Sequence, residues 1–303
     1  MERVKGVVHA KEVYLKGYTG DGVRIALLDT GVHPHMCLKN KIHYFSDYVH
    51  QRRVTYDDNG HGTHIAGILC GNRQTLERGR VVYRTGMAPG AQLAVFKILD
   101  HNGNGSTDKA LRALDWLIAN HKREHIQLLN FSMGYLPNAN PKIQKKLIEK
   151  LEQLWEEGVT VVTAAGNNGP AENTITVPGI SRKLITVGSS DDLSAYTSKT
   201  LKNTIKEYGG RGPTECCIVK PEILAPGTDI ISLMNSGDGY VKKSGTSMSA
   251  PIVCGALALA LEKKPDLKPV ELKLLLYDSV DPVKEKNISA WGILNVDNLL
   301  KML

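Results

Sequence analysis

Three short segments of this chain bring together the residue types that acyl transfer requires. Leu27-Leu-Asp29-Thr-Gly31 puts a carboxylate at the end of an apolar run. Asn59-Gly60-His61-Gly62-Thr63-His64 sets an imidazole between two glycines, just ahead of a second apolar run. Ser244-Gly245-Thr246-Ser247-Met248-Ser249 places serines at the mouth of a third. A serine hydroxyl is a weak nucleophile until a base with a pKa near 7 takes its proton. A buried carboxylate fixes which ring nitrogen of that base faces the serine. Taken singly, each segment has a plainer use. Strand-ending aspartates cap turns, helix-start histidines bond local backbone, and serine is a common helix cap. A zinc site at His61 and His64 is the weaker reading, because the spacing is i, i+3 and no glutamate follows His61. The Gly-x-Ser-x-Gly elbow is not formed around Ser247 or Ser249.

Residues this far apart in sequence meet only on a scaffold that gathers strand ends. Short apolar runs alternate with amphipathic stretches, which predicts an α/β fold, a three-layer sandwich with a mostly parallel central sheet. Strands are expected at 23–29, 91–99, 126–131, 159–165 and 184–187, with a shorter one at 230–233 near the end of the sheet. Helices are expected at 108–121, 141–157, 250–263 and 269–277. The third is apolar nearly all round and should be buried. Residues 71–86 and 191–215 read as surface loops. With no repeat or linker composition, residues 1–303 read as one domain.

The composition is that of a globular chain, with 42% hydrophobic and 23% charged residues. The formal charge of +7 is mild. The densest basic group is Arg73, Arg78, Arg80 and Arg84. It has no aromatic interleaving, so no nucleic-acid partner is expected. The five cysteines are odd in number, and Cys216 and Cys217 are adjacent. A disulfide framework is therefore not expected, and a reducing, cytoplasmic setting is. Cys70 and Cys254, inside apolar stretches, read as buried structural thiols. No apolar run is long enough for a secretory signal or a membrane span, so no membrane partner is expected.

Taken together, the segments resemble subtilisin-like serine proteases, the subtilases, in which Asp, His and Ser follow in this order. The matches are Asp29-Thr-Gly, His61-Gly-Thr-His-Ile-Ala-Gly and Gly245-Thr-Ser-Met-Ser-Ala-Pro, with Asn130-Phe-Ser-Met-Gly134 and Ala164-Ala-Gly-Asn-Asn-Gly169 in register. Gly86-Met-Ala-Pro-Gly90 and Lys220-Pro-Glu-Ile-Leu-Ala-Pro-Gly227 are further echoes. The resemblance implies a subtilisin-like single domain that hydrolyses peptide bonds. It implies Ser247 as nucleophile, His61 as general base and Asp29 as the group that orients it. Asn167 falls on the side-chain oxyanion donor, and Asn168 on a turn. The substrate would bind as an added strand. Ser132, Met133, Gly134, Ala164, Ala165 and Gly166 would line the pocket for the residue before the scissile bond. Thr176 would lie at its base, and Gly103, Asn104 and Gly105 along the other side. Small walls imply a roomy, mostly apolar pocket, and no acid at the floor points to arginine or lysine specificity.

The sequence also departs from the family. The Asp29 motif follows soon after Met1, which reads as a short intracellular member without signal peptide or prodomain. The stretch 72–85, where relatives often carry a calcium loop, has one acid and four arginines, so neither metal nor cofactor is expected there. The pairs Asp57-Asp58 and Asp191-Asp192 have the oxygens to bind calcium, but read first as solvated turn carboxylates. A polypeptide is the expected partner, and nothing specifies oligomeric state. On that reading, a short member without a prodomain leaves room for a dedicated maturation protease of one partner. A pseudoprotease is disfavoured by the full set of site residues.

Overall fold

A computed structural model describes residues 1–77, 80–135, 141–192, 208–214, 218–283 and 290–303. Two short helices, α1 (Glu2–Val7) and α2 (Lys11–Leu15), precede strand β1 (Arg24–Asp29). Then come β2 (Ile42–Asp47), α3 (His61–Cys70), β3 (Asn72–Glu77), β4 (Arg80–Thr85), β5 (Gln92–Lys97), α4 (Thr107–Asn120) and β6 (Ile126–Phe131). After these follow α5 (Pro141–Glu156), β7 (Thr160–Ala164), β8 (Ile185–Ser189), β9 (Ile223–Ala225), β10 (Ile230–Leu233) and β11 (Tyr240–Lys243). The chain closes with α6 (Thr246–Lys263), α7 (Pro269–Ser279), β12 (Gly292–Ile293) and α8 (Val296–Lys301).

Eight strands form one parallel sheet in the order β12-β9-β8-β7-β6-β1-β5-β2. The runs in β1, β5, β6, β7 and β8 are buried almost without a break, as strands covered on both faces must be. The helix pair α3 and α6 and the pair α4 and α5 flank the sheet. Helix α6 is buried from Met248 to Leu261, as its all-round apolar sequence predicts. On α4 the buried stripe is Ala110, Ala113, Leu114 and Leu117, and Ser106 caps its start by accepting from the Lys109 N–H. From β1 the chain moves outward to β2 and back through β5, whereas from β6 it steps the other way through β7, β8 and β9. The order therefore reverses between β1 and β6, and parallel sheets place their sites at the carboxyl ends of strands at such a point.

Two sequence expectations are corrected. Residues 230–233 do form a strand, but not in the main sheet. β10 pairs antiparallel with β11 as a separate hairpin lying along α3, where His64 Nε2 meets the Ile230 carbonyl at 3.0 Å. Residues 71–86 are not a plain loop, since β3 and β4 pair antiparallel from Asn72–Thr85 to Glu77–Arg80. The strand-forming Thr75, Leu76, Val81, Val82 and Tyr83 outweigh the arginines interspersed among them. Of the expected loop 191–215, residues 193–207 and 215 lie outside the described residues, as do Arg78, Cys216 and Cys217. Cys37, Cys70 and Cys254 are free and buried. Burial pushes the Cys70 thiol up to about 12, which leaves it inert near neutrality.

Candidate active site

Asp29 ends β1, and its 1% exposed carboxylate accepts the Thr30 N–H at 2.7 Å. The turn that follows needs glycine. Gly31 has φ +107°, and a Cβ there would sit 2.2 Å from the Tyr56 carbonyl oxygen. Helix α3 begins with His61 and comes in so close that a Cβ on Gly62 would lie 2.1 Å from the Gly31 carbonyl. This approach seats His61 Nδ1 at 2.8 and 3.0 Å from the two Asp29 oxygens. Burial works against the imidazolium, and Lys243 repels it. The charge and hydrogen bond of Asp29, helped by Asp57, outweigh both and hold the His61 pKa above the ordinary histidine value.

Ser247 is the second residue of α6. Its hydroxyl donates to the Ser132 carbonyl at 2.9 Å, just past the end of β6. Its N–H belongs to a first helical turn, whose donors have no intrahelical acceptor. Asn167 is fixed beside it, because its Oδ1 accepts from the Thr246 N–H at 2.9 Å and from the Thr246 hydroxyl at 3.1 Å. That orientation leaves the Asn167 Nδ2 as a donor on the Gly245 side of the helix start, 3.1 Å from an ideal Cβ built there. The Thr246 hydroxyl also accepts the Gly166 N–H at 3.1 Å, tying the end of β7 to the start of α6.

The expected pocket residues cluster as well. Gly134 and Gly166 face the same side chain, Thr176. A Cβ on Gly134 would fall 2.3 Å from Thr176 Oγ1, and one on Gly166 would fall 2.5 Å from Thr176 Cγ2. The Thr176 N–H donates to the Ala165 carbonyl at 3.0 Å, and the Ala165 N–H to that of Val187 at 2.9 Å. Ala164 closes β7, Met133 packs partly against the core, and Asn130 Nδ2 donates to the Ser132 hydroxyl at 2.7 Å. Thr176 thus fills the gap between its two glycine neighbours, so the slot is shallower than the small walls alone suggest. Its buried hydroxyl has no hydrogen-bond partner among the described residues. Gly103, Asn104 and Gly105 form a turn on the rim, held by Asp100, which accepts from the Asn102 and Asn104 N–H groups. Asn59 Nδ2 donates to the His101 carbonyl at 3.0 Å, joining that rim to the loop before His61.

The aspartate pairs are corrected. Asp57 is buried and takes five donors, while Asp58 accepts from the wholly buried Lys97 at 2.6 Å. Lys97 Nζ also holds the Thr30 and Leu99 carbonyls at 2.6 and 2.8 Å. Asp192, buried, pairs with Arg211 at 3.2 Å, and Asp191 accepts the Gly227 and Thr228 N–H groups. Asp57, Asp191 and Asp192 are thus structural rather than solvated carboxylates, whereas Asp58 is exposed as expected apart from its contact with Lys97. Thr30, Asp57 and Lys97 were missed as site residues. The signal for Asp57 was an acid three residues before the Gly60-His61 step, where a helix N-terminus calls for an anion. Among the described residues no group of three His, Cys, Asp or Glu side chains could hold a metal ion, and no helix is long and apolar enough to cross a membrane.

The arrangement offers a serine hydroxyl at the start of α6, an imidazole oriented by a carboxylate, and an asparagine held by its oxygen against the first residue of that helix. That is the equipment for attack on a carbonyl carbon. Residues 20–292 match the sequence profile of the subtilase family. The chain is 38% identical to the serine protease AprX of Bacillus subtilis (strain 168), over 96% of this chain and 69% of that protein. It is 29% identical to subtilisin Savinase of Lederbergia lenta, over 96% and 95%. Among solved structures, a cold adapted subtilisin-like serine proteinase superposes with a TM-score of 0.70 at 25% identity, covering 92% of this chain and 90% of that one.

Proposed function

The chain belongs to the subtilase family of serine endopeptidases, and from that membership we propose that it cleaves polypeptides through Ser247, His61 and Asp29 by way of an acyl-enzyme. The Asp29–His61 contact at 2.8 Å carries this reading. Asp29 holds the Nδ1 proton, so Nε2 is left to act as the base. For reaction, the Ser247 hydroxyl leaves the Ser132 carbonyl to which it donates at 2.9 Å and gives its proton to His61 Nε2. Its oxygen attacks the peptide carbonyl carbon while Nε2 takes the proton. The carbonyl oxygen gains negative charge and is met by the Ser247 N–H and Asn167 Nδ2. His61 then gives its proton to the departing amine as the C–N bond breaks. Water, deprotonated by His61, releases the acyl group and restores the hydroxyl.

The same reading assigns the substrate main chain to the segments Ser132–Gly134 and Ala164–Gly166 on one side and to Gly103–Gly105 on the other, as an added strand. The side chain before the scissile bond points at Thr176, and the absence of an acid there supports a small or apolar residue over arginine or lysine. A cytoplasmic location is part of the proposal. It is supported by the free thiols of Cys37, Cys70 and Cys254, and cell fractionation tests it. The catalytic assignment is tested by Ser247→Ala, which is expected to abolish peptide turnover in a protein that melts like the parent. Undiminished turnover by that variant contradicts it.

A further inference from the structure

Asp29 and His61 come from different elements, and the geometry of their contact depends on what joins the β1 turn to the start of α3. One buried side chain reaches both. Asp57 Oδ1 accepts from the Thr30 hydroxyl at 2.9 Å, the Gly60 N–H at 2.8 Å and the Asn59 N–H at 3.1 Å. Asp57 Oδ2 accepts from the Thr63 N–H at 2.9 Å and the Thr63 hydroxyl at 2.6 Å. The Thr30 hydroxyl in turn accepts the Gly62 N–H at 2.9 Å, and the Thr63 hydroxyl accepts the His33 N–H at 2.9 Å. Thr30, which follows Asp29, and Gly60 and Thr63, which bracket the start of the His61 helix, are therefore cross-linked through one carboxylate. A backbone bridge between Gly31 and Asp57 adds to the link.

We propose that Asp57 is a positioning residue for the reaction, its carboxylate setting the register between the Asp29 turn and the His61 helix so that the two side chains meet. It touches no reacting atom and acts through the Asp29–His61 contact. Both Asp57 oxygens face backbone N–H groups, Asn59 and Gly60 on one and Thr63 on the other. A carboxylate satisfies all of them, and an amide cannot. Whichever way Asp57→Asn flips, its NH2 group meets an N–H donor that cannot turn away. Loosening the α3 start by a fraction of an ångström is enough to misalign His61, and misplacement on the scale of 1 Å costs about 100-fold in rate.

The inference rests on the assignment of Asp29 and His61 above, and a mutant cycle separates the two. Asp29→Asn, Asp57→Asn and the double variant are compared by steady-state kinetics on a peptide substrate. Concentrations are normalised by the fraction that melts cooperatively. The expected result is a kcat for Asp57→Asn about 10- to 100-fold below the parent with KM within about twofold, and a double variant little worse than Asp29→Asn alone. In the parent, the His61 Nδ1 proton resonance is expected far downfield, and in Asp57→Asn it is expected to shift upfield or exchange away. A purely structural Asp57 would lower the folded fraction and leave kcat per folded molecule and this resonance unchanged, which overturns the proposal. Losses that multiply in the double variant overturn it too. Full activity in Asp29→Asn would instead overturn the assignment on which it rests, and this inference with it. If Asp57→Asn does not fold, Thr30→Val removes only the hydroxyl link at nearly constant volume. A kcat about 3- to 10-fold down supports the proposal, and an unchanged kcat overturns it.

Discussion

Thr176 is expected to decide how large a side chain the enzyme accepts before the scissile bond. Its side chain packs against both Gly134 and Gly166, where ideal Cβ positions fall 2.3–3.1 Å from its atoms. Thr176→Gly deletes three heavy atoms from that space. The deletion breaks no side-chain hydrogen bond among the described residues, where Thr176 Oγ1 has no partner, and the backbone bond from Thr176 to Ala165 remains. A substrate phenylalanine that slides into the vacated volume buries two to three more carbon groups, at about 0.8 kcal/mol each. The gain of about 2 kcal/mol corresponds to about 30-fold in relative kcat/KM. The assay compares chromogenic peptides that differ only at the residue before the cleaved bond, alanine against phenylalanine. The phenylalanine-to-alanine ratio is expected to rise by about 10- to 100-fold in Thr176→Gly and to stay at the parent value in the isosteric Thr176→Val. A ratio that does not move in Thr176→Gly refutes the placement of Thr176 at the pocket floor.

The acid limb of kcat/KM is expected above about pH 6.5, because His61 must be neutral to act and its pKa is raised, against its burial, by Asp29. A limb below pH 6 would show that the pair is not poised as described. Lys5 is buried beside Thr85 and the Tyr14 ring, and its pKa is lowered by desolvation to about 8. Between pH 8 and the ordinary lysine value near 10.5 the unfolded chain therefore holds more protons than the native one. Lys5 then adds stability as pH rises across that window, at most about 3 kcal/mol. Melting scans are expected to show the parent's Tm gaining on that of Lys5→Met from pH 8 to 10, and equal slopes in both proteins would refute it. Activity is expected to survive EDTA, since the 72–85 stretch is a basic hairpin rather than an oxygen-rich loop. Inactivation by chelator, reversed by calcium, would show a cation site that this reading lacks.

Elements whose identity depends on local pattern were legible. The runs at 126–131 and 141–156 fold nearly where their periodicity puts them, because each signals its own burial. Asp29, His61, Asn167 and Ser247 stand out in the sequence as a set, since their order and glycine-rich surroundings carry far more information than any one of them, and the structure joins Asp29 to His61 and Asn167 to the residue before Ser247. What was lost is what depends on partners distant in sequence. Residues 230–233 look like any short strand, and only their pairing with residues 240–243 takes them out of the main sheet. Asp57 and Asp192 look like turn acids until the fold supplies Thr30, Thr63 and Arg211 as partners. Thr176 shows the same limit, because small residues at 134 and 166 signal space, and only the fold reveals what occupies it.

The most direct test of the central assignment is covalent labelling with a fluorophosphonate, followed by peptide mapping of the native protein. An activated serine reacts with such a reagent, whereas an ordinary helix-capping serine does not. Stoichiometric modification at Ser247, lost in His61→Ala, is the expected result. An unlabelled Ser247 in folded protein, or a label on Ser244 or Ser249 instead, would contradict it.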